Sequence, residues 1–190
     1  IFLRSKEDNL EKLLEVGRAL KEKEIITTTI LEEKIVMENK EVLENSINAI
    51  FPVTKKVDTE NLLLEILKMF NNLVFGQGFI NLDLQDIKSM LKDLGIATLG
   101  TININKEILE KELVNNISYS FYNKSIRGAK GILIHLDTWQ DVGISDSQAI
   151  VDILRNESGK NIDDIMFSIR TENNLKNRIE CTFIAGKFKN

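Results

Sequence analysis

The sequence predicts an α/β chain, an α+β sandwich in which a small mixed β-sheet with helices on one face follows a long central helix. Three observations carry this expectation. From Ile96 onward the pattern of apolar residues reads strand, helix, strand, helix, strand, strand, the order of an α/β sandwich. Gly131–Thr138 is a strongly apolar run of strand length. Residues 59–75 carry Leu62, Leu63, Leu64, Ile66, Leu67, Met69, Phe70, Leu73 and Val74 on nearly every side of a helix, which marks burial on most faces. In a chain of 190 residues, such a helix belongs between two layers or two domains.

The elements follow in order. Residues 1–4 look like the end of a strand. The chain opens at Ile1 without a methionine, so we read it as a truncated or processed piece of something larger. Ser5 and Asp8 have capping-box spacing, and Leu10, Leu13, Leu14 and Leu20 then fall near helical period. Residues 25–30 are β-branched and read as a strand. A short strand or turn is expected around 35–37 and a helix over 42–51, ended by Pro52. Asp58 or Thr59 caps the central helix, and Gly76 and Gly78 stop it. A second helix presents Leu84, Ile87, Met90, Leu91 and Leu94 on one face and is closed by Gly95. Residues 96–104 read as a strand and 107–119 as a helix. Ser145 with Gln148 caps a helix through Arg155, and residues 164–170 and 178–185 are strands joined by a polar turn. The organisation expected is 1–57, then the central helix 58–75, then a C-terminal domain 76–190.

Composition narrows the function. A 43% apolar and 28% charged chain is ordinary for a globular protein. Its net charge of -4 argues against a nucleic-acid-coating surface. No run of eighteen apolar residues suggests a spanning helix, so no direct membrane insertion is expected. A lone cysteine, Cys181, forms no internal disulfide and fits a reducing cytoplasm. In its alternating stretch it reads as a small buried residue rather than a nucleophile. His135, the single histidine, lies on an apolar strand and reads as a packed or edge-strand residue. Trp139 and Asp141 follow in a loop and suit surface contacts, while Tyr119, Phe121 and Tyr122 suit core packing.

Asp83 and Asp86 stand three residues apart where the second helix starts, which puts both carboxylates near its positive end. Two readings are open from spacing alone. The pair can cap the helix, or it can orient a water and help hold a cation for phosphoryl transfer, where catalysis is mostly positioning and charge stabilisation.

The residues around this pair resemble a known family. Gly78-Phe79-Ile80-Asn81-Leu82-Asp83-Leu84-Gln85-Asp86 is similar to the catalytic loop of FtsZ, the bacterial relative of tubulin, in which Asn-x-Asp-x-x-Asp follows a Gly. Gly95-Ile96-Ala97-Thr98-Leu99-Gly100-Thr101 looks like the strand after the family's next helix. Gly128-Ala129-Lys130-Gly131-Ile132-Leu133-Ile134 resembles its Gly-Ala-Arg-Gly-Val-Leu-Val strand, and Arg178-Ile179-Glu180-Cys181-Thr182-Phe183-Ile184-Ala185-Gly186 resembles its last strand. The order matches from about Leu62 to Gly186. The family's Gly-Gly-Gly-Thr-Gly-Ser/Thr-Gly phosphate loop has no counterpart, and Thr27-Thr28-Thr29-Ile30 stands where the family has Ile-Pro-Asn.

The resemblance implies the C-terminal half of an FtsZ/tubulin-type cytoskeletal GTPase, a bacterial and cytoplasmic division protein that assembles head to tail with itself. GTP would be bound by a half not present here, so this piece alone would be inactive. Asp83 and Asp86 would act in trans on the neighbouring subunit's GTP, with Mg²⁺ possible at that shared site, and Asn81 would hold the loop or contact phosphate or water. Asn61, or Glu60 in a register one residue shifted, is the nearest counterpart of the family's guanine-facing residue. Division regulators are possible partners. The competing expectations are a stand-alone FtsZ-like interaction module without GTPase activity, a plasmid-segregation tubulin homologue, and a small-molecule enzyme on a similar sandwich.

Overall fold

In chain order the elements are β1 (Phe2–Leu3), α1 (Leu10–Glu22), β2 (Thr28–Glu32), α2 (Glu33–Glu38), α3 (Lys40–Ser46), β3 (Ala49–Val53), α4 (Thr59–Phe75), α5 (Leu84–Leu91), β4 (Gly95–Ile96), β5 (Thr98–Asn105), β6 (Gly131–Thr138), α6 (Ile144–Ser158), β7 (Asp164–Thr171) and β8 (Arg178–Gly186). They come from a computed structural model that describes residues 1–3, 9–54, 57–76, 78–105, 126–140, 142–159 and 162–188. Ser5 and Asp8, the helix expected over 107–119, the aromatic group Tyr119, Phe121 and Tyr122, and Asp141 lie outside the described residues.

The backbone changes sheet at Ala97. Strands β1-β2-β3-β4 form one sheet, parallel throughout, and β5-β8-β6-β7 form a second, mixed one. Residues 96–104, expected as one strand, are therefore divided between two sheets. The Ala97 N–H donates to the Ile50 carbonyl at 2.8 Å, so the crossing point is itself tied to β3.

Within the first sheet, α1 and α3 pack closely. A Cβ at Gly17 would collide with Ile47 and with the Ser46 carbonyl, so only glycine allows this approach. Val36, Leu43, Ile47 and Ile50 are fully buried beneath these helices. Three expectations are corrected here. The second strand begins at Thr28, not Ile25. Residues 35–37 are helical, because one side chain, Val36, faces the core while Met37 is exposed. The helix expected over 42–51 ends at Ser46, and Pro52 sits inside a strand. Proline is tolerated there for a geometric reason. Strand alternation aims position 52 to the same side as Ile50, towards β4, whose last pair is Ile50 with Ile96. The missing N–H falls beyond the end of that pairing.

The second sheet is covered on both sides. Ile132, Ile134 and Leu136 of β6 and Cys181 and Phe183 of β8 meet Ile150, Val151 and Leu154 of α6. Leu133, Ile184 and Leu99 point the other way, towards Ile66, Met69, Ile87 and Met90 of α4 and α5. The chain from β6 through α6 returns to β7 in parallel, as a β-helix-β unit. α6 is capped by Gly143, not Ser145: the Gly143 N–H donates to the Asp146 carboxylate at 3.0 Å. Burial pushes the Cys181 thiol up to about 12, so it behaves as an inert core residue.

α4 spans Thr59–Phe75, with Asp58 accepting from the N–H groups of Glu60 and Asn61 at 3.1 Å. It is not buried on every face. Leu62, Ile66, Met69 and Leu73 are inside, Leu63 and Phe70 are half-buried, and Leu64, Leu67, Val74 and Phe75 are exposed.

Candidate functional site

The acidic loop leaves α4 at Gly76, whose N–H donates to the Asn72 carbonyl at 2.9 Å, and enters α5 at Asp83. Asn81 folds back on Gly78. Its Oδ1 accepts the Gly78 N–H at 2.8 Å, and its Nδ2 donates to the Gly78 carbonyl at 2.9 Å. Between them Ile80 pairs antiparallel with Ile169 on the outer edge of β7, with N–H to O distances of 3.2 and 2.9 Å. A Cβ at Gly78 would strike the Ile169 carbonyl, so the loop can lie this close to β7 only with glycine there.

Asp83 and Asp86 form a reciprocal capping box. Asp83 Oδ1 accepts the Asp86 N–H at 2.7 Å, and Asp86 Oδ2 accepts the Asp83 N–H at 3.3 Å. Both carboxylates are exposed at the helix N-terminus. The same stretch of chain, from the end of α4 to the start of α5, carries exposed apolar side chains: Phe75 at 77% exposure, Phe79 at 70% and Leu84 at 54%. Among the described residues, no group of three or more His, Cys, Asp or Glu is placed to hold a metal ion. The pair therefore offers an anionic, hydrated surface at a helix start, able to orient a water or share a cation with ligands from elsewhere.

Asn61 is not part of this constellation. It is exposed in the first turn of α4, about 22 Å along the helix from Gly76 at 1.5 Å per residue. It lines a polar cleft of about 390 Å³ between α4 and the second sheet, with Asn72, Asn103, Asp137, Glu180 and Thr182.

The same cleft leads to a charged cluster that sequence reasoning missed. Asp137 Oδ1 accepts from Arg170 Nε at 2.6 Å and lies 3.3 Å from His135 Nε2. His135 Nδ1 lies 2.7 Å from Ser168 Oγ. The guanidinium of Arg170 also reaches Glu172 at 3.1 Å and Asn72 at 3.4 Å. Burial alone would raise the Asp137 carboxyl. The hydrogen bonds and charges of His135 and Arg170 outweigh it and hold the group below the usual carboxylate range. The bond to Asp137 raises the Arg170 guanidinium in turn, against its own desolvation. A signal was present in the sequence: polar residues at 135 and 137, and at 168 and 170, occupy one face of two otherwise apolar strands.

With this geometry in view, comparisons with known proteins are informative. No protein-family model matches the chain. FtsZ 1, a cell division protein of Pyrococcus woesei, is 28% identical over 147 residues, which are 76% of this chain and 39% of that protein. FtsZ 1 of Methanocaldococcus jannaschii is 24% identical over 151 residues, 79% of this chain and 41% of that protein. The chain thus spans about two-fifths of the length of these relatives. Among solved structures, a W319Y mutant of M. jannaschii FtsZ superposes with a TM-score of 0.76 at 18% identity, over 98% of this chain and 65% of that one. TubZ of Bacillus thuringiensis serovar israelensis, in GDP-form protofilaments, gives 0.69 at 11% identity, over 93% and 57%. The sequence relatives and the fold point the same way over most of this chain: it is similar to the C-terminal region of FtsZ-like proteins of the tubulin superfamily.

Proposed function

We propose that this chain is the polymerisation and GTPase-activating part of an FtsZ-like cytoskeletal GTPase of the cytoplasm, and that it supplies Asp83 and Asp86 in trans to GTP on the next subunit. The observation that carries the reading is the exposed capping box on a stretch of chain that also exposes Phe75, Phe79 and Leu84. Charged groups on a segment that also exposes aromatic and aliphatic side chains suit a surface that another protein covers. The matched proteins support the choice of partner, since one FtsZ structure is a dimer and the TubZ structure is of protofilaments. A head-to-tail arrangement also accounts for the separation of Asn61 from the acidic loop, because a subunit in a filament needs its own nucleotide at one end and its neighbour's at the other.

On this reading, GTP is held by a segment outside these 190 residues. That segment would cover the groove of about 590 Å³ lined in part by Phe2, Ile26, Leu67, Phe70 and Val74. The chain's own residues then have distinct tasks. Asn81 keeps the loop closed on Gly78. Asp83 and Asp86 orient the attacking water on the side facing the neighbour. Two carboxylates are too few for a complete Mg²⁺ shell, so any cation there would share them with phosphate oxygens and water.

The test uses Asp86→Ala in the full-length polypeptide. Turnover should fall by about a hundredfold or more, the usual cost of losing a positioned charge, while GTP affinity stays near that of the parent. Mixed with the parent, the mutant should depress activity faster than dilution does. Activity that tracks the parent fraction linearly in co-assembled filaments rules out a shared site.

A further inference from the structure

We propose that Arg170 is a positioning residue for the acidic loop, locking the last turn of α4 to β7 so that the loop is presented in one place. The catalytic consequence rests on the function proposed above, whereas the positioning itself rests on geometry alone.

The argument begins at the edge of the second sheet. β7 is an outer strand, and its free edge at Ile169 is taken by Ile80, in the middle of the loop. A single antiparallel bridge is a weak attachment: two hydrogen bonds are offset by the ordering of several loop residues. What surrounds it decides whether it holds. Arg170, the next residue along β7, lies against Gly78, where a Cβ would also approach the Arg170 Cα. Its side chain leaves on the opposite face of the strand from Ile169, towards α4.

There the guanidinium touches two other elements and the chain just past β7. Nε is fixed by Asp137 of β6 at 2.6 Å, Nη2 by Glu172 just past β7 at 3.1 Å, and Nη1 donates to Asn72 Oδ1 in the last turn of α4 at 3.4 Å. The Arg170 carbonyl accepts from Thr138 Oγ1 at 3.2 Å. Asn72 is also the residue whose carbonyl receives the Gly76 N–H where the loop begins. Arg170 therefore joins the start of the loop, through Asn72, to its midpoint, through the neighbouring Ile169–Ile80 pair. A planar fork with five donors suits a task of this kind, since it satisfies several acceptors at fixed angles. Lysine would keep the charge and lose the fork.

Asn72→Ala tests this with little risk to folding, because it removes the α4 contact and leaves the Arg170–Asp137 pair in place. Arg170→Lys is the second variant. In the full-length polypeptide, amide exchange at Ile80 and Ile169 should speed up about fivefold in both, while exchange in β5 and β8 stays as in the parent. Turnover should fall by a similar factor in kcat with KM for GTP unchanged, the signature of displaced catalytic groups rather than lost binding. Asn72→Asp, which restores an acceptor for Nη1, should recover both readouts. Unchanged exchange at Ile80 and Ile169 overturns the proposal, whatever turnover does. Faster exchange with unchanged kcat upholds the positioning role and overturns the catalytic role of the loop.

Discussion

Two charged constellations flank α4, and they differ in where their hydrogen bonds go. In the acidic loop the side-chain bonds of Asn81, Asp83, Asp86 and Ser89 are local, each reaching three residues, and the long-range tie is the backbone pair of Ile80 with Ile169. In the cluster of His135, Asp137, Arg170 and Asn72 the partners are 33 and 98 residues apart, and His135 and Asp137 are buried. Local bonds shape a segment without tying it to the rest of the molecule, and they leave its carboxylates in water. Long-range bonds hold elements together, and their charges are committed to one another. The same residue types thus serve presentation in one place and cohesion in the other.

Truncating one member of each group gives the widest separation. Asp137→Ala leaves Arg170 facing Glu172 and Asn72 without its strongest partner, and a broken, largely buried pair typically costs about 3 kcal/mol of stability. Asp86→Ala removes an exposed capping group and should cost only about 1 kcal/mol. Urea unfolding of both variants measures the gap. Equal losses would mean that the cluster is no more cohesive than a helix cap.

The contrast also explains what the sequence could show. The acidic loop, α4, α5, β6, β7 and β8 were legible because each is set by neighbours in sequence: caps at fixed offsets, an apolar run, a terminal glycine. The first sheet was not. Ala49–Val53 is a short apolar run that fits a strand or a buried helix end, and Pro52 tilted the reading towards a helix stop. The contact that makes proline harmless, the early end of β4, lies more than forty residues away in sequence. The break at Ala97 was hidden for a similar reason, since both halves of 95–105 are apolar enough for a strand and the change of sheet is a tertiary choice. Arg170 was missed because two of its partners, Asn72 of α4 and Asp137 of β6, come from elements whose pairing with β7 no spacing rule reports.

A smaller effect sharpens the comparison through pH. The Asp137 carboxyl is held below the usual range in the folded chain by His135 and Arg170, against the opposing effect of burial. A group with a lowered folded pKa contributes stability that is complete above its unfolded value, about pH 4, and is lost as pH falls through the folded value. The difference in unfolding free energy between the parent and Asp137→Asn should therefore shrink as pH falls below about pH 4. The measurement is denaturant unfolding at a series of pH values. A difference that persists undiminished below pH 3 would show that the carboxylate's charge contributes nothing to cohesion.

The smallest expected change in stability belongs to Asp83→Ser, and it is the most discriminating at the loop. Serine caps a helix about as well as aspartate, because its hydroxyl oxygen can accept the same Asp86 N–H that Asp83 Oδ1 accepts now. α5 should keep its N-terminus, and unfolding free energy should move by no more than a few tenths of a kcal/mol. The carboxylate is nevertheless gone from an exposed position, next in sequence to the exposed Leu84. If Asp83 serves only as a cap, turnover by the full-length polypeptide should survive this exchange. If it also helps orient the attacking water beside the neighbour's GTP, turnover should fall at least tenfold with the helix intact. Circular dichroism, urea unfolding and steady-state turnover on the same preparation separate the two. Unaltered stability together with unaltered turnover would reduce Asp83 to a capping residue and leave Asp86 to carry the proposed chemistry alone.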